Sequence, residues 1–292
     1  SHNTALTRLN LSGCDVGDEG LPDLSAALQR NSSLKSLNLS ANNIAIEKSG
    51  ARMLNEILKL NRLSNINLKG NHFHHLDTKS IKILSEGLQQ NNSLTVLNLA
   101  NNWIESVGYQ WLSVGLGGHP ALTSLDLSGS SIAHSAKWLE ELLAHNHVIK
   151  ELKLNYAEVT EEVCRVLGLH FNQLQKVTLE QNELTEKGAH WLAQALNKTN
   201  SQLRELHLMR NSIGSSGCRA ICTSLQSNVT LQLLDLRFNQ IGADASTQVR
   251  DMLRVNKGLR SLSLSSNELN IRVIMEALAD NSVLRELDAG KY

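Results

Sequence analysis

One pattern, LxxLxLxxN, recurs along the whole chain. Its first position falls at Leu6, Leu34, Leu63, Leu94, Leu122, Ile149, Leu174, Leu203, Leu231, Leu259 and Leu284. Successive copies begin 25 to 31 residues apart. In the clearest copy, Leu94 to Ile104, the residues Leu94, Leu97 and Leu99 alternate with polar or small ones, which reads as a short strand with one buried face. Asn102 then marks a turn, because its amide can bond turn backbone groups that lack a ladder partner. Gly108, Leu112 and Leu116 follow at helical spacing. One such unit cannot bury its own apolar face, so the copies must stack.

The turn position holds Cys14, Asn42, Asn71, Asn102, Ser130, Ala157, Asn182, Asn211, Asn239 and Asn267. A column of buried amides there builds a polar ladder between coils. Ser130 keeps part of that chemistry and Ala157 none, so two consecutive repeats interrupt it. Apolar residues at i, i+4 and i+8 signal the helices, as in Gly20/Leu24/Leu28, Gly50/Leu54/Leu58, Gly188/Leu192/Leu196 and Gly217/Ile221/Leu225. The glycines are expected to let helix and strand backbones approach closely. With two prolines and no linker, the chain reads as one repeat domain over 1–292. Both ends stop at bare strands, so that domain is expected to be part of a longer polypeptide or to be capped by a partner.

This pattern, at about 28 residues per unit, resembles the ribonuclease-inhibitor-like class of leucine-rich repeats from Leu6 to Leu287. The resemblance implies an α/β leucine-rich-repeat horseshoe solenoid of about eleven β-α repeats. Its parallel sheet would lie on the concave face and its helices on the convex face.

Charge and composition narrow the function. Lys plus Arg equals Asp plus Glu at 28 each, which argues against a bulk nucleic-acid or acidic-membrane binder. No apolar run is long enough to span a membrane. Four cysteines, with Cys218 and Cys222 at i, i+4 and no further ligands at zinc spacing, read as free thiols of a reducing compartment. The expected localisation is cytoplasmic, or the host cytoplasm for a secreted effector. The cluster His72, His74, His75 and Asp77 reads as a solvated loop with Phe73 turned inward rather than a metal site.

On the concave face the columns beside the strand leucines are small and neutral in the first third. From Asp126 to Arg237 they become charged and larger. The candidate partner-binding residues are Trp103, Asp126, Glu151, Tyr156, Glu180, Glu205, His207, Met209, Arg210, Asp235, Arg237 and Phe238. Aromatic residues and arginine dominate binding hot spots, and the chain is only 3% aromatic. Trp111, Trp138 and Trp191 each precede a core leucine and are expected to pack on the convex side.

No nucleophile elbow, phosphate loop or HExxH pair is present. No catalytic, cofactor or metal residue is assigned, and no cofactor is expected. The expected function is a non-catalytic module, monomeric, that holds a folded protein on its concave face, as a bacterial effector or a receptor sensing domain. Nucleic acid and membrane are not expected partners. The resemblance also raises a Ran-type GTPase-activating protein, whose acidic tail is absent here, and a ribonuclease inhibitor, whose acidic, cysteine-rich composition this chain does not share.

Overall fold

The computed structural model describes residues 3–44, 48–71, 73, 78–133 and 136–290. It comprises two compact units, Ser1–Ile149 and Lys150–Tyr292. The cluster read at His72, His74, His75 and Asp77 lies outside the described residues, while Phe73 beside it is buried.

In the first unit, strands β1 (Arg8–Asn10), β2 (Ser36–Asn38), β3 (Asn65–Asn67), β4 (Val96–Asn98) and β5 (Ser124–Asp126) pair parallel in chain order. They alternate with helices α1 (Gly17–Arg30), α2 (Lys48–Lys59), α3 (Thr78–Gln90), α4 (Ser106–Gly117) and α5 (Ala136–His145). The second unit continues the same order with β6 (Glu151–Lys153), β7 (Lys176–Thr178), β8 (Glu205–His207), β9 (Leu233–Asp235), β10 (Ser261–Ser263) and β11 (Glu286–Asp288). Its helices are α6 (Glu161–Leu169), α7 (Glu186–Leu196), α8 (Gly214–Leu225), α9 (Ser246–Val255) and α10 (Ile271–Met275). This is the leucine-rich-repeat solenoid fold.

Several strands stop after three residues where the last side chain accepts the backbone N–H two residues on and bends the chain. Asn98 Oδ1 accepts the backbone N–H of Ala100 at 2.9 Å, and Asn38 and Asn67 do the same two residues on. Asp126 and Asp235 take that role with carboxylates, each accepting at 3.0 Å. The middle residue of the strand, such as Leu37, Leu97 or Leu206, turns inward and is buried.

The turn asparagines form the expected ladder. Asn71 Nδ2 donates to the Leu39 carbonyl at 3.0 Å, while its Oδ1 accepts the N–H groups of Asn42 and Ile44 at 3.1 Å. In the second unit Asn211 repeats this with Leu179, Asn182 and Leu184. The interruption is real at Ser130, whose buried Oγ has no hydrogen-bond partner among the described residues. Ala157 is also buried, and its N–H is taken by Asn182 Oδ1 at 2.7 Å.

A second column runs through the helix-to-strand turns. Asn91, Asn146, Asn228 and Asn256 each accept two backbone N–H groups and donate to a carbonyl of the preceding repeat, as Asn228 Nδ2 does to Leu196 at 2.7 Å.

The helix glycines serve a different approach from the one expected. A Cβ on Gly217 would fall 2.8 Å from Ala189 Cβ and 3.3 Å from the Glu186 Cα, both on the preceding helix α7. Glycine there brings helix to helix rather than helix to strand.

Candidate functional site

Ten of the twelve expected contact residues belong to the second unit; Trp103 and Asp126 belong to the first. Alternation places them. In β6 to β9 the central residues Leu152, Val177, Leu206 and Leu234 are buried, so their neighbours project from the other face of the sheet. Register then forms two rows on that face. One reads Glu151, Lys176, Glu205, Leu233, and the next reads Lys153, Thr178, His207, Asp235.

These charges engage each other. Lys176 Nζ lies 2.9 Å from Glu205 Oε2 and 3.9 Å from Glu151 Oε1, and Lys153 Nζ lies 3.3 Å from Glu151. The hydrogen bond from Lys176 holds the Glu205 carboxyl below its usual range and raises the Lys176 ammonium in return. His207 sits between two carboxylates, with Nε2 3.5 Å from Glu205 and Nδ1 3.9 Å from Glu180. Arg237 forks onto Asp235, donating from Nε at 2.9 Å and from Nη2 at 2.6 Å. That pair raises the guanidinium further above its usual value. The partly exposed pairs Lys176–Glu205 and Lys153–Glu151 stabilise by at most about 1 kcal/mol each. Their main effect is to hold the side chains in place. Lys176 is the central member of this network, a role that reading the columns singly did not reveal.

Beside the rows run turns in an unusual conformation. The residue preceding the turn asparagine is left-handed in repeat after repeat, with φ of +53° at Ala41, +66° at Gly70 and +56° at Ser266. Small residues suit such a position. Three repeats of the second unit hold Tyr156 (φ +52°), Arg210 (+55°) and Phe238 (+55°) there instead. Left-handed backbone costs an L-residue roughly 1–2 kcal/mol, and burial does not offset it for Tyr156 and Phe238, which are 60% and 38% exposed. The Arg210 guanidinium lies 5.2 Å from the Phe238 ring centroid, within cation–π range. Backbone bonds fix the turn: Tyr156 N–H donates to the Glu180 carbonyl at 3.0 Å and Gln181 N–H to the Met209 carbonyl at 3.0 Å. Met209 itself is half-buried.

In the first unit Trp103, at φ +50°, is 58% exposed. Asp126 is half-buried and its carboxylate caps the turn after β5.

The helix tryptophans divide. Trp138 is buried and stacks on Tyr109 with ring centroids 4.5 Å apart and planes within 10°. Trp111 is half-buried, with Lys82 Nζ 5.7 Å from its ring centroid. Trp191 departs from the expected packing: it is 40% exposed, because the turn of α7 that buries Gly188 and Leu192 carries it outward.

All four cysteines are free, and only Cys14 is exposed. Burial pushes the Cys164 thiol up to about 12, far from a nucleophilic thiolate. Among the described residues no helix is long and apolar enough to cross a membrane.

A family described as Leucine Rich repeat matches residues 2–25, 30–54, 90–110, 199–222 and 227–245. The chain is 30% identical over 270 residues to the mouse NACHT, LRR and PYD domains-containing protein 14, covering 90% of this chain and 27% of that protein. It is 28% identical over 296 residues to the pig ribonuclease inhibitor, covering 98% of this chain and 64% of the inhibitor. The crystal structure of the yeast Rad7 and Elc1 complex is similar in fold, with a TM-score of 0.63 at 21% identity over 98% of this chain and 70% of that one. The chain thus spans about a quarter of the NACHT-containing relative and under two thirds of the pig inhibitor.

Proposed function

Since the chain belongs to the ribonuclease-inhibitor-like leucine-rich-repeat family, we propose that it is a non-catalytic module, one repeat domain that binds a folded protein. The contact surface is the outward sheet face of the second unit together with its turns at Tyr156, Arg210 and Phe238, and Trp103 is a contact residue of the first unit. One observation carries this reading: aromatic side chains occupy left-handed turn positions where they are exposed, in a protein with few aromatics. At Tyr156, whose ring is 60% exposed, a left-handed cost that burial does not offset is the signature of a residue kept for contact. The ion-paired rows beside them add a surface of mixed sign that is already ordered, so little side-chain entropy is lost on docking. Balanced charge favours a protein partner over nucleic acid or an acidic membrane.

The test is capture from a lysate with the wild-type chain and a Trp103→Ala/Tyr156→Ala/Phe238→Ala variant, with bound proteins identified by mass spectrometry. The reading requires a protein held by the first and lost by the second, with the melting temperature little changed. Capture equal in both chains would move the contact surface elsewhere.

The similarity to ribonuclease inhibitors over nearly the whole chain favours a specific second form, capture of a pancreatic-type ribonuclease. Titrating such a ribonuclease with the chain and measuring residual RNA cleavage decides it. The reading extends to a sensing segment of a larger receptor and to a host-directed effector, and the captured partner distinguishes them.

A further inference from the structure

We propose that Glu180, His207 and Asp235 form a binding site for a divalent first-row transition-metal ion of the zinc class. One ligand atom from each lies within 4.8 Å of the others. The residues are 27 and 28 positions apart in sequence, one per repeat, so no local spacing motif announces them. Stacking brings them together: His207 on β8 is in register with Asp235 on β9 and Thr178 on β7, and Glu180 follows Thr178 by two residues.

The chemistry is that of an open metal site. One imidazole and two carboxylates supply three protein ligands and leave a position for water. The imidazole favours a zinc-class ion over calcium or magnesium, which take oxygen ligands. Donors about 2.0–2.2 Å from a tetrahedral ion stand roughly 3.4 Å from each other. His207 Nδ1 is already 3.9 Å from Glu180 Oε1, so that pair needs only a small side-chain adjustment to reach ligand spacing.

Two further features point the same way. His207 turns its other nitrogen, Nε2, toward Glu205 Oε2 at 3.5 Å, and Lys176 holds that carboxylate. A carboxylate behind the imidazole fixes the tautomer that leaves Nδ1 free to ligate. Independently, Thr178 is 6% exposed and its Oγ1 has no hydrogen-bond partner among the described residues. Burial of Val177 sends the Thr178 side chain to the His207 face. A buried hydroxyl at that place is suited to an ion-bound water.

Arg237 currently neutralises Asp235, whose side chain is only 5% exposed. The Arg237 side chain is 36% exposed, and its guanidinium would compete with the ion for the same carboxylate. This site is read on the chain alone, so its outcome is separate from that of protein capture.

The test is isothermal titration with Zn²⁺, and Co²⁺ absorption, in a Cys14→Ser background that removes the exposed thiol. Saturable one-site binding is expected, with a Co²⁺ spectrum of low coordination number. His207→Ala and Glu180→Gln should each weaken it about tenfold or more, while Arg237→Gln should tighten it. Circular dichroism melts check that each variant is folded; should His207→Ala fail to fold, Glu180→Gln and Arg237→Gln decide. Binding unaffected by His207→Ala and Glu180→Gln, or no saturable binding of either ion, would overturn the assignment.

Discussion

His119 Nδ1 accepts the backbone N–H of Leu122 at 3.1 Å, in the place where Asn91 Oδ1 takes the N–H of Leu94 at 2.8 Å. An imidazole thus stands in for an amide in the helix-to-strand column, and only its neutral form can do so. Nδ1 must carry a lone pair, which leaves Nε2 to donate to Asn91 Oδ1 at 3.3 Å.

Burial lowers the His119 pKa below the ordinary 6.5. The folded chain therefore binds fewer protons here than the unfolded chain. Stability is whole above about pH 6.5 and falls as the pH drops from there toward the depressed folded value. Each unit of depression contributes about 1.4 kcal/mol to that loss. Chemical denaturation between about pH 5 and 7.5 should show this slope in the wild type. His119→Asn should flatten it with little change at neutral pH, because an amide meets the same N–H groups.

The turn column gives a contrast within one structural position. Asn211 joins Asn182 N–H, Leu184 N–H and the carbonyls of Leu179 and Leu208, all at 2.9–3.0 Å. Asn211→Ala orphans several buried backbone groups at about 1–3 kcal/mol each. A loss of roughly 3 kcal/mol or more in urea denaturation is expected. Ser130 occupies the same column with an unpartnered hydroxyl. Ser130→Ala should therefore be neutral or slightly stabilising, within about 1 kcal/mol.

The tryptophans show where the sequence was readable and where it stopped. Each of Trp111, Trp138 and Trp191 precedes a leucine, so a local rule treats them alike. Burial separates them. Trp111 and Trp191 lie three residues after Gly108 and Gly188, and that turn carries them outward. Trp138 is buried with Leu139, Leu142 and Leu143 in α5 and stacks on Tyr109. Trp138→Ala should cost about 3–5 kcal/mol. Trp191→Ala should cost under about 1 kcal/mol, both by thermal or urea unfolding.

The fold was legible because its signal is repeated: leucine spacing marks eleven strands, and turn and helix signals follow ten of them. The candidate site was legible column by column, since alternation along a strand predicts which side chains face outward. What could not be read was pairing between columns. Lys176 with Glu205, and Glu180 with His207 and Asp235, are neighbours only because of inter-repeat register. The second column was missed for another reason: Asn91, Asn146 and Asn228 look like ordinary polar loop residues until their amides are seen reaching the preceding repeat.

Tyr156 separates contact from stability most sharply. It has φ +52° and 60% exposure, so its ring contributes little burial while its backbone carries the left-handed cost. Glycine adopts that region freely, and its greater unfolded-state entropy offsets only about 0.5–1 kcal/mol. Tyr156→Gly should leave the melting temperature unchanged or slightly raised, and the same holds for Phe238→Gly once the Arg210 contact is discounted. Capture of the protein partner should fall in both. A variant that is as stable as the wild type yet captures less would separate the ring's contact role from packing. A clear drop in melting temperature would instead assign the rings to packing between repeats.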